Sequence, residues 1–283
     1  MNAFVTGGTG FIGSHLVDSL IDHSDYENIK CLVRSSEKWL EGKSYVRVTG
    51  DLHSINVIDK ALDDVDVIFH IAAIVKAPTQ AEFDYANVEA TENLLRVAIK
   101  KGIKKMVILS SLAAAGPSNG APKTEDDPME PVSMYGESKK KMERMIHEVA
   151  PDDMSVTILR PPAVYGPRED QIYTLFKMMK YGVAPIVGDG NHPELSIVYV
   201  KDVVQAILKA ANQQKKGVHS YFIDGEKIAN WNMIRDIVTT VLGKKNIPIK
   251  LTLNGFRRSQ VPLKHLHHFL GYIPLSTGKK QRK

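Results

Sequence analysis

Eight residues near the N-terminus, Thr6-Gly7-Gly8-Thr9-Gly10-Phe11-Ile12-Gly13, constrain the fold more than any other stretch. They follow an apolar run, Asn2–Thr6, and open an amphipathic pattern, Phe11–Ile21. Three of the glycines have separate uses. Gly7 allows a tight turn, Gly10 lets backbone approach a ligand, and Gly13 lets a helix lie close to a strand. The helix start at Phe11, Ile12 and Gly13 then offers unpaired N–H groups and the positive end of its dipole to an anion. In this setting the glycine pattern predicts a dinucleotide site.

Up to about Arg160, short apolar runs alternate with longer helical patterns. The runs lie at 2–6, 29–33, 45–49, 65–71, 105–110 and 156–159, and the helical patterns at 11–21, 55–62, 88–100 and 135–149. Uninterrupted apolar runs suit strands covered on both faces, and the alternation predicts βαβ units with a parallel sheet. Within 89–100, Leu94, Leu95, Ala98 and Ile99 fall on one side of a helix and Glu92, Arg96 and Lys100 on the other. Beyond Arg160 the prolines 161, 162, 167, 185 and 193 break the rhythm, so a looser region of short elements is expected. A strand over 196–200 and a helix over 203–211 are expected to return to the main sheet. A strand at 221–223 and a helix at 231–242 follow. The chain is thus expected to be α/β: a doubly wound (Rossmann), mostly parallel sheet of about seven strands. Residues 1–164 would form it, with 196–224 returning to it. A small C-terminal substrate lobe would take 165–195 and 225–283.

Composition narrows the function classes. A chain with 43% hydrophobic and 24% charged residues is not disordered, collagen-like or a coiled coil. One cysteine, Cys31, excludes a disulfide framework and a cysteine zinc cluster. No apolar stretch approaches the ~18 residues a membrane span needs. The N-terminus has no basic segment followed by an apolar core, so a cytoplasmic setting is expected. Residues 244–283 hold ten basic and no acidic residues, leaving 27 basic and 32 acidic in the rest. That basic tail reads as a solvated segment able to meet phosphates, an acidic partner or a membrane surface. No zinc-finger or other nucleic-acid signature is present, so the expected partner is a small-molecule substrate.

A dinucleotide at the glycine loop needs a partner for its adenosine ribose at the end of the second strand. An NAD-preferring site would place Asp or Glu there. The slot holds Arg34, followed by Ser35 and Ser36. A guanidinium pairs with a 2′-phosphate in bidentate fashion, so NADP is expected in preference to NAD. Further on, Tyr135 and Lys139 are four residues apart in a helical pattern and share a face. A phenol with an ordinary pKa of ~10 is a poor acid or base near neutrality. A nearby ammonium, together with a cationic nicotinamide, is expected to bring that value down. Such a tyrosine can exchange a proton with a substrate oxygen while hydride moves to or from the nicotinamide. Ser110 and Ser111, ending an apolar run, put a hydroxyl where it can bond the same oxygen.

With these pieces in order, the sequence resembles the extended short-chain dehydrogenase/reductases of the NAD-dependent epimerase/dehydratase type. The matching motifs are TGGTGFIG at 6–13, GDL at 50–52, HIAA at 70–73, SS at 110–111, YGESK at 135–139, RPPAVYGP at 160–167 and YVKDV at 199–203. The resemblance implies that Asp51 and Leu52 hold the adenine. It implies that His70, Ala72 and Ala73 form the strand end passing the pyrophosphate and nicotinamide ribose. Ser111 aligns with the catalytic serine or threonine, Tyr135 with the acid/base, and Lys139 with the residue that holds the ribose hydroxyls and tunes that tyrosine. Pro161 and Pro162 would flank the nicotinamide amide. Ala113, Tyr165 and Arg168 are candidates for substrate contact. Relatives often dimerise, so a homodimer is a further expectation. Nucleotide-sugar members carry an arginine that grips the diphosphate, in the stretch matching 188–200; here the aligned residue is Leu195.

The main expectation is an oxidoreductase that transfers hydride between NADP(H) and a carbonyl or alcohol. A second is a nucleotide-sugar epimerase or dehydratase with transient oxidation. A third, a non-catalytic NADP-binding module, is disfavoured by the Tyr/Lys pair. No metal is expected: His265, His267 and His268 read as a solvated helix face. Met142, Met145, Met178 and Met179 read as packing, Cys31 as an inert core thiol, and Asp202 as a helix N-cap.

Overall fold

The computed structural model describes residues 1–118, 120–225 and 228–251; the three histidines at 265, 267 and 268 and most of the basic tail lie outside them. The chain opens with β1 (Asn2–Thr6), α1 (Phe11–Ile21), β2 (Asn28–Val33), β3 (Val46–Thr49), α2 (Ile55–Ala61) and β4 (Val67–His70). Next, α3 (Gln80–Asp84) passes through one π-helical turn (Tyr85–Glu89) into α4 (Ala90–Lys100). Then follow β5 (Lys105–Leu109), the single turn α5 (Leu112–Ala115), α6 (Met134–Val149) and β6 (Ser155–Arg160). The remainder comprises β7 (Ala163–Tyr165), α7 (Gln171–Lys180), β8 (Val183–Val187), β9 (Ile197–Tyr199), α8 (Val200–Asn212), β10 (Gly217–Phe222), α9 (Trp231–Leu242) and β11 (Ile247–Leu251).

Seven strands form one sheet in the order β3-β2-β1-β4-β5-β6-β10, and every neighbouring pair is parallel. The order reverses between β1 and β4, which makes this the doubly wound arrangement with its switch point at those two strand ends. Helices cover both faces, which is why β4 and β6 are buried along their whole length. The core on one face joins Phe4, Ile68, Leu94, Leu95, Met142, Ile146 and Ile158. Each such side chain contributes about 2 kcal/mol through burial. Met145 and Met179 are buried too, and Cys31 is fully enclosed, its thiol pushed up to about 12 by burial.

The chain divides into two compact units. The first holds Met1–Gly116, Thr124–Pro162 and Val200–Ile223; the second holds Pro117–Lys123, Ala163–Tyr199 and the described residues from Asp224. Within the second, β7 pairs with β9 and β8 with β11, both parallel, around a core of Ile172, Leu175, Met179, Ile186, Leu195 and Trp231.

Two sequence expectations need correction. The strand expected over 196–200 is β9, and it does not join the main sheet: it pairs with β7 through Ala163↔Ile197 and Tyr165↔Tyr199. The seventh strand is β10, in register with β6 from Gly217↔Ser155 to Phe222↔Arg160. Nor does Asp202 cap α8. The helix already begins at Val200, so Asp202 lies in its first turn, where a carboxylate still complements the dipole.

Candidate active site

The glycine loop sits at the switch point. Gly7 has φ +74°, and a Cβ there would lie 2.6 Å from the Ala72 amide nitrogen just beyond β4. A Cβ on Gly13 would lie 2.1 Å from the Gly7 carbonyl oxygen. The Gly10 amide donates to the same carbonyl at 3.0 Å, which closes the turn. No side chain caps α1, whose N-cap is Gly10. The first-turn amides of Phe11, Ile12 and Gly13 therefore have no side-chain cap. An anionic pyrophosphate suits such a cradle.

Behind the loop runs a chain of buried polar groups around His70, in which sequence reasoning did not single out Asn87, Thr91 or Ser138. Thr91 Oγ1 donates to the Asn87 carbonyl at 2.7 Å, so it accepts from His70 Nε2 at 2.8 Å. His70 Nδ1 then accepts from Thr6 Oγ1 at 2.7 Å, and Thr6 accepts from the Ala72 amide at 3.4 Å. Burial, reinforced by the positive charge of Lys139, pushes His70 down to about 3, which keeps the imidazole neutral. Its ring thus ties β1, β4 and α4 together, while Ala72 and Ala73 continue past the strand end. Asn87, in the π-helical turn, accepts from the Ile74 amide (2.9 Å) and donates to the Ile74 carbonyl and Ser138 Oγ (both 3.0 Å). Ser138 Oγ donates in turn to the Tyr135 carbonyl at 2.8 Å.

Ser111, Tyr135 and Lys139 lie in the same unit. Ser111 caps α5 by accepting from the Ala113 amide at 3.1 Å, and its hydroxyl hydrogen-bonds the Tyr135 phenol. Helix α6, capped by Ser133, can approach α5 because residue 136 is glycine: a Cβ there would sit 2.3 Å from the Ala113 carbonyl oxygen. Lys139, one turn after Tyr135 and 1% exposed, donates to the Leu109 carbonyl at 2.9 Å. Burial holds its ammonium down to about 8, against an opposing pull from Glu143. The phenol is not acidic in the chain by itself. Burial pushes Tyr135 up to about 12 and outweighs the opposing hydrogen bond from Ser111. The sequence argument counted the favourable charge of Lys139 and left out the cost of desolvating a phenolate.

At the adenosine end, Arg34 is exposed immediately after β2. Asp51 accepts from the His53 amide and the Ser54 hydroxyl, both at 2.9 Å, and these bonds hold its carboxyl below the usual carboxylate range. Leu52 packs against the core beside it. Pro161 accepts from the Leu112 amide at 2.8 Å, which fixes the start of α5 against the end of β6 ahead of Pro162.

The second unit holds the remaining candidates. The Tyr165 and Tyr199 rings lie 5.5 Å apart and tilted by 46°. Arg168 has φ +71°, a left-handed conformation unusual for a residue with a side chain. Leu195 is buried, with its backbone paired to Ala229 in both directions. No cation occupies that position. Among the described residues, no group of three or more His, Cys, Asp or Glu side chains could hold a metal, and no helix is long and apolar enough to cross a membrane.

Comparisons with known proteins agree with this fold. The family model described as "NAD dependent epimerase/dehydratase family" matches residues 3–224. A putative UDP-glucose 4-epimerase of Methanocaldococcus jannaschii is 34% identical over 258 residues, spanning 84% of this chain and 82% of the relative. The N-acetyl-alpha-D-glucosaminyl-diphospho-ditrans,octacis-undecaprenol 4-epimerase of Escherichia coli is 30% identical over 267 residues, spanning 90% and 77%. The solved UDP-glucuronic acid 4-epimerase of Bacillus cereus in complex with NAD superposes with a TM-score of 0.79 at 26% identity, covering 89% of this chain and 87% of that one.

Proposed function

The chain belongs to the NAD-dependent epimerase/dehydratase family, and on that premise we propose that it oxidises one alcohol carbon of a diphosphate-linked sugar and restores it within a single turnover. The observation that carries this reading is the Ser111–Tyr135 hydrogen bond with Lys139 one helical turn away. The activities named for the relatives support the substrate class. The turn, too tight for a Cβ at Gly7 or Gly13 and followed by a helix start that no side chain caps, fits the phosphates of a dinucleotide. When bound, such a coenzyme supplies reversible hydride acceptance. Tyr135 takes the hydroxyl proton as the carbon is oxidised and gives it back on reduction. Ser111 donates to the same oxygen while it is a carbonyl. Lys139 keeps a positive charge near the phenol, which favours the phenolate that burial disfavours. In this reading the first unit carries the chemistry, and Ala113 within it contacts the sugar.

The choice of coenzyme is finer. The exposed Arg34 after β2 supports NADP, because a guanidinium matches a 2′-phosphate. The Bacillus cereus relative is named with NAD.

One observation favours a second reading, net reduction of a ketone or aldehyde. Leu195 is buried where nucleotide-sugar members place their diphosphate-binding arginine. Incubation with NAD and either UDP-glucose or UDP-N-acetylglucosamine, followed by proton NMR, separates the two. The epimerase reading expects the C4 epimer with no net NADH. Stoichiometric loss of NADPH with a ketone panel, and no epimer, would replace it with the reductase.

A further inference from the structure

The second unit carries a surface that the chemistry above does not use. Surface helices turn their apolar side chains toward a core, and α7 and α9 do so along most of their length. Their ends and the loops after them depart from this. Tyr181, just past α7, is 73% exposed; Val241, in the last turn of α9, is 78% exposed; Ile247, the first residue of β11, is 70% exposed. They share one end of the unit, where both helices stop and the parallel strands β8 and β11 start. There the Ile247 amide donates to the Gly182 carbonyl at 2.9 Å, and Lys244 Nζ donates to the Lys180 carbonyl at 3.3 Å. Lys180, Lys244 and Lys245 are exposed at the same end. One turn before Tyr181 and Val241, the helices present Lys177 and Ile237, also exposed.

Charge selects what can cover this end. Neither 171–188 nor 237–251 contains an acidic residue. Of the ten basic residues from 244 onward, removing Lys244, Lys245 and Lys250 leaves seven beyond 251, again with no acidic one. The patch therefore repels both its own tail and the same patch on a second copy, and its complement is an anion. A nucleic acid would take the ammonium groups and leave the aliphatic side chains without a partner. An anionic bilayer takes both: its headgroups pair with lysines, and the layer beneath them accepts a tyrosine ring and aliphatic chains. We propose that this end of the second unit docks on an anionic membrane surface. Lys180, Lys244 and Lys245 meet the lipid phosphates, while Tyr181, Val241 and Ile247 enter the boundary between headgroups and acyl chains. The inference stands apart from the chemistry proposed for Tyr135.

The test is co-sedimentation of the full chain with vesicles of phosphatidylcholine, alone or mixed with phosphatidylglycerol. The chain should pellet with the mixed vesicles and stay in solution with phosphatidylcholine alone. Raising the salt to about 0.5 M should release it, because screening then acts within a few ångströms. Lys180→Gln/Lys244→Gln/Lys245→Gln should weaken binding about tenfold or more. Val241→Ser/Ile247→Ser should weaken it about tenfold as well, through lost apolar burial; both positions are exposed, so the core does not depend on them. Changing Lys279, Lys280, Arg282 and Lys283 together to Gln should leave most of the binding. A nitrobenzoxadiazole label on Val241→Cys reports insertion directly, since Cys31 is buried and does not compete for it. Its emission should brighten and move to the blue on the mixed vesicles. The proposal fails if the chain ignores the mixed vesicles, binds both kinds equally, or loses binding in the tail variant and keeps it in the triple lysine variant. Lysine-dependent binding to heparin or polyglutamate, with a label that stays dark on vesicles, would overturn it in favour of a nucleic acid or an acidic protein. A dimer in solution that Val241→Ser/Ile247→Ser breaks would overturn it in favour of a second copy.

Discussion

Gly13 and Gly7 are in such close contact that a methyl group on the first would lie 2.1 Å from the carbonyl oxygen of the second. The obstacle is backbone and cannot rotate away. Gly13→Ala is expected to lower stability by about 1–3 kcal/mol, the range for overpacking a tight contact. It should also weaken dinucleotide binding at least tenfold if, as proposed, the amides after the displaced turn hold the phosphates. Thermal unfolding and a fluorescence titration with NADH read the two effects separately.

Tyr135→Phe removes the proposed proton carrier and keeps the ring. Turnover is expected to fall by about 10²–10⁴, the usual share of general acid–base catalysis, while the coenzyme dissociation constant stays within about twofold. Ser111→Ala should lower turnover as well and should also loosen α5, since the same hydroxyl caps it. Single-turnover kinetics with the epimerisable sugar, alongside binding, checks both variants.

Acid should unfold the protein through His70. Its folded value is about 3, below the ~6.5 of an exposed histidine, so between those limits the unfolded chain binds the extra proton. Stability is then full above pH ~6.5 and falls as pH drops toward 3, by on the order of 2–3 kcal/mol at pH 4.5. Urea midpoints at pH 7 and 4.5 should show that loss in wild type and a smaller one in His70→Asn.

Asn87→Ala strips three hydrogen bonds and leaves both polar groups of Ile74 short of partners. Stranding buried donors and acceptors costs about 1–3 kcal/mol each. A loss of about 2–4 kcal/mol in denaturant unfolding is expected, and Asn87→Asp should recover only the bond that accepts from the Ile74 amide.

Arg34→Ala tests the coenzyme reading. If the guanidinium binds a 2′-phosphate, the variant should lose about tenfold or more in affinity for NADPH and keep its affinity for NADH. Equal binding of both coenzymes in wild type and variant would remove Arg34 from the site.

The main sheet was legible because its strands contain continuous apolar runs such as residues 67–69 of β4, and its helices carry one apolar stripe, as in Ala90–Lys100. The glycine loop was legible because backbone geometry at Gly7 and Gly13 leaves few alternatives. Strand β8 was not, since Pro185 sits in its middle and signals a break, although a short two-stranded sheet tolerates it. β10 was recognised only at its end: Gly217, His219 and Ser220 weaken the apolar pattern, and pairing with β6 overrides it. The polar partners of the site, Thr6, Asn87, Thr91 and Ser138, resemble ordinary helix and strand residues in sequence. Their roles come from contacts between positions far apart in the chain, as between His70 and Thr91 or Asn87 and Ser138, which no local pattern encodes. The acidity of Tyr135 was misjudged for a related reason, because spacing reveals a neighbouring charge and not the loss of water.

The pairing of β10 with β6 also governs how this polypeptide can be cut. The first unit is completed only after the chain has left it, built β7 to β9, and come back. A fragment ending at Pro162 would retain the glycine loop and Tyr135 yet present the whole length of β6 as a bare edge, with Arg160 deprived of the Phe222 ring. Such an edge invites pairing between molecules. On the ribosome the same exposure lasts until Phe222 has emerged, so the nascent protein passes through an interval in which its own last strand must outcompete its neighbours.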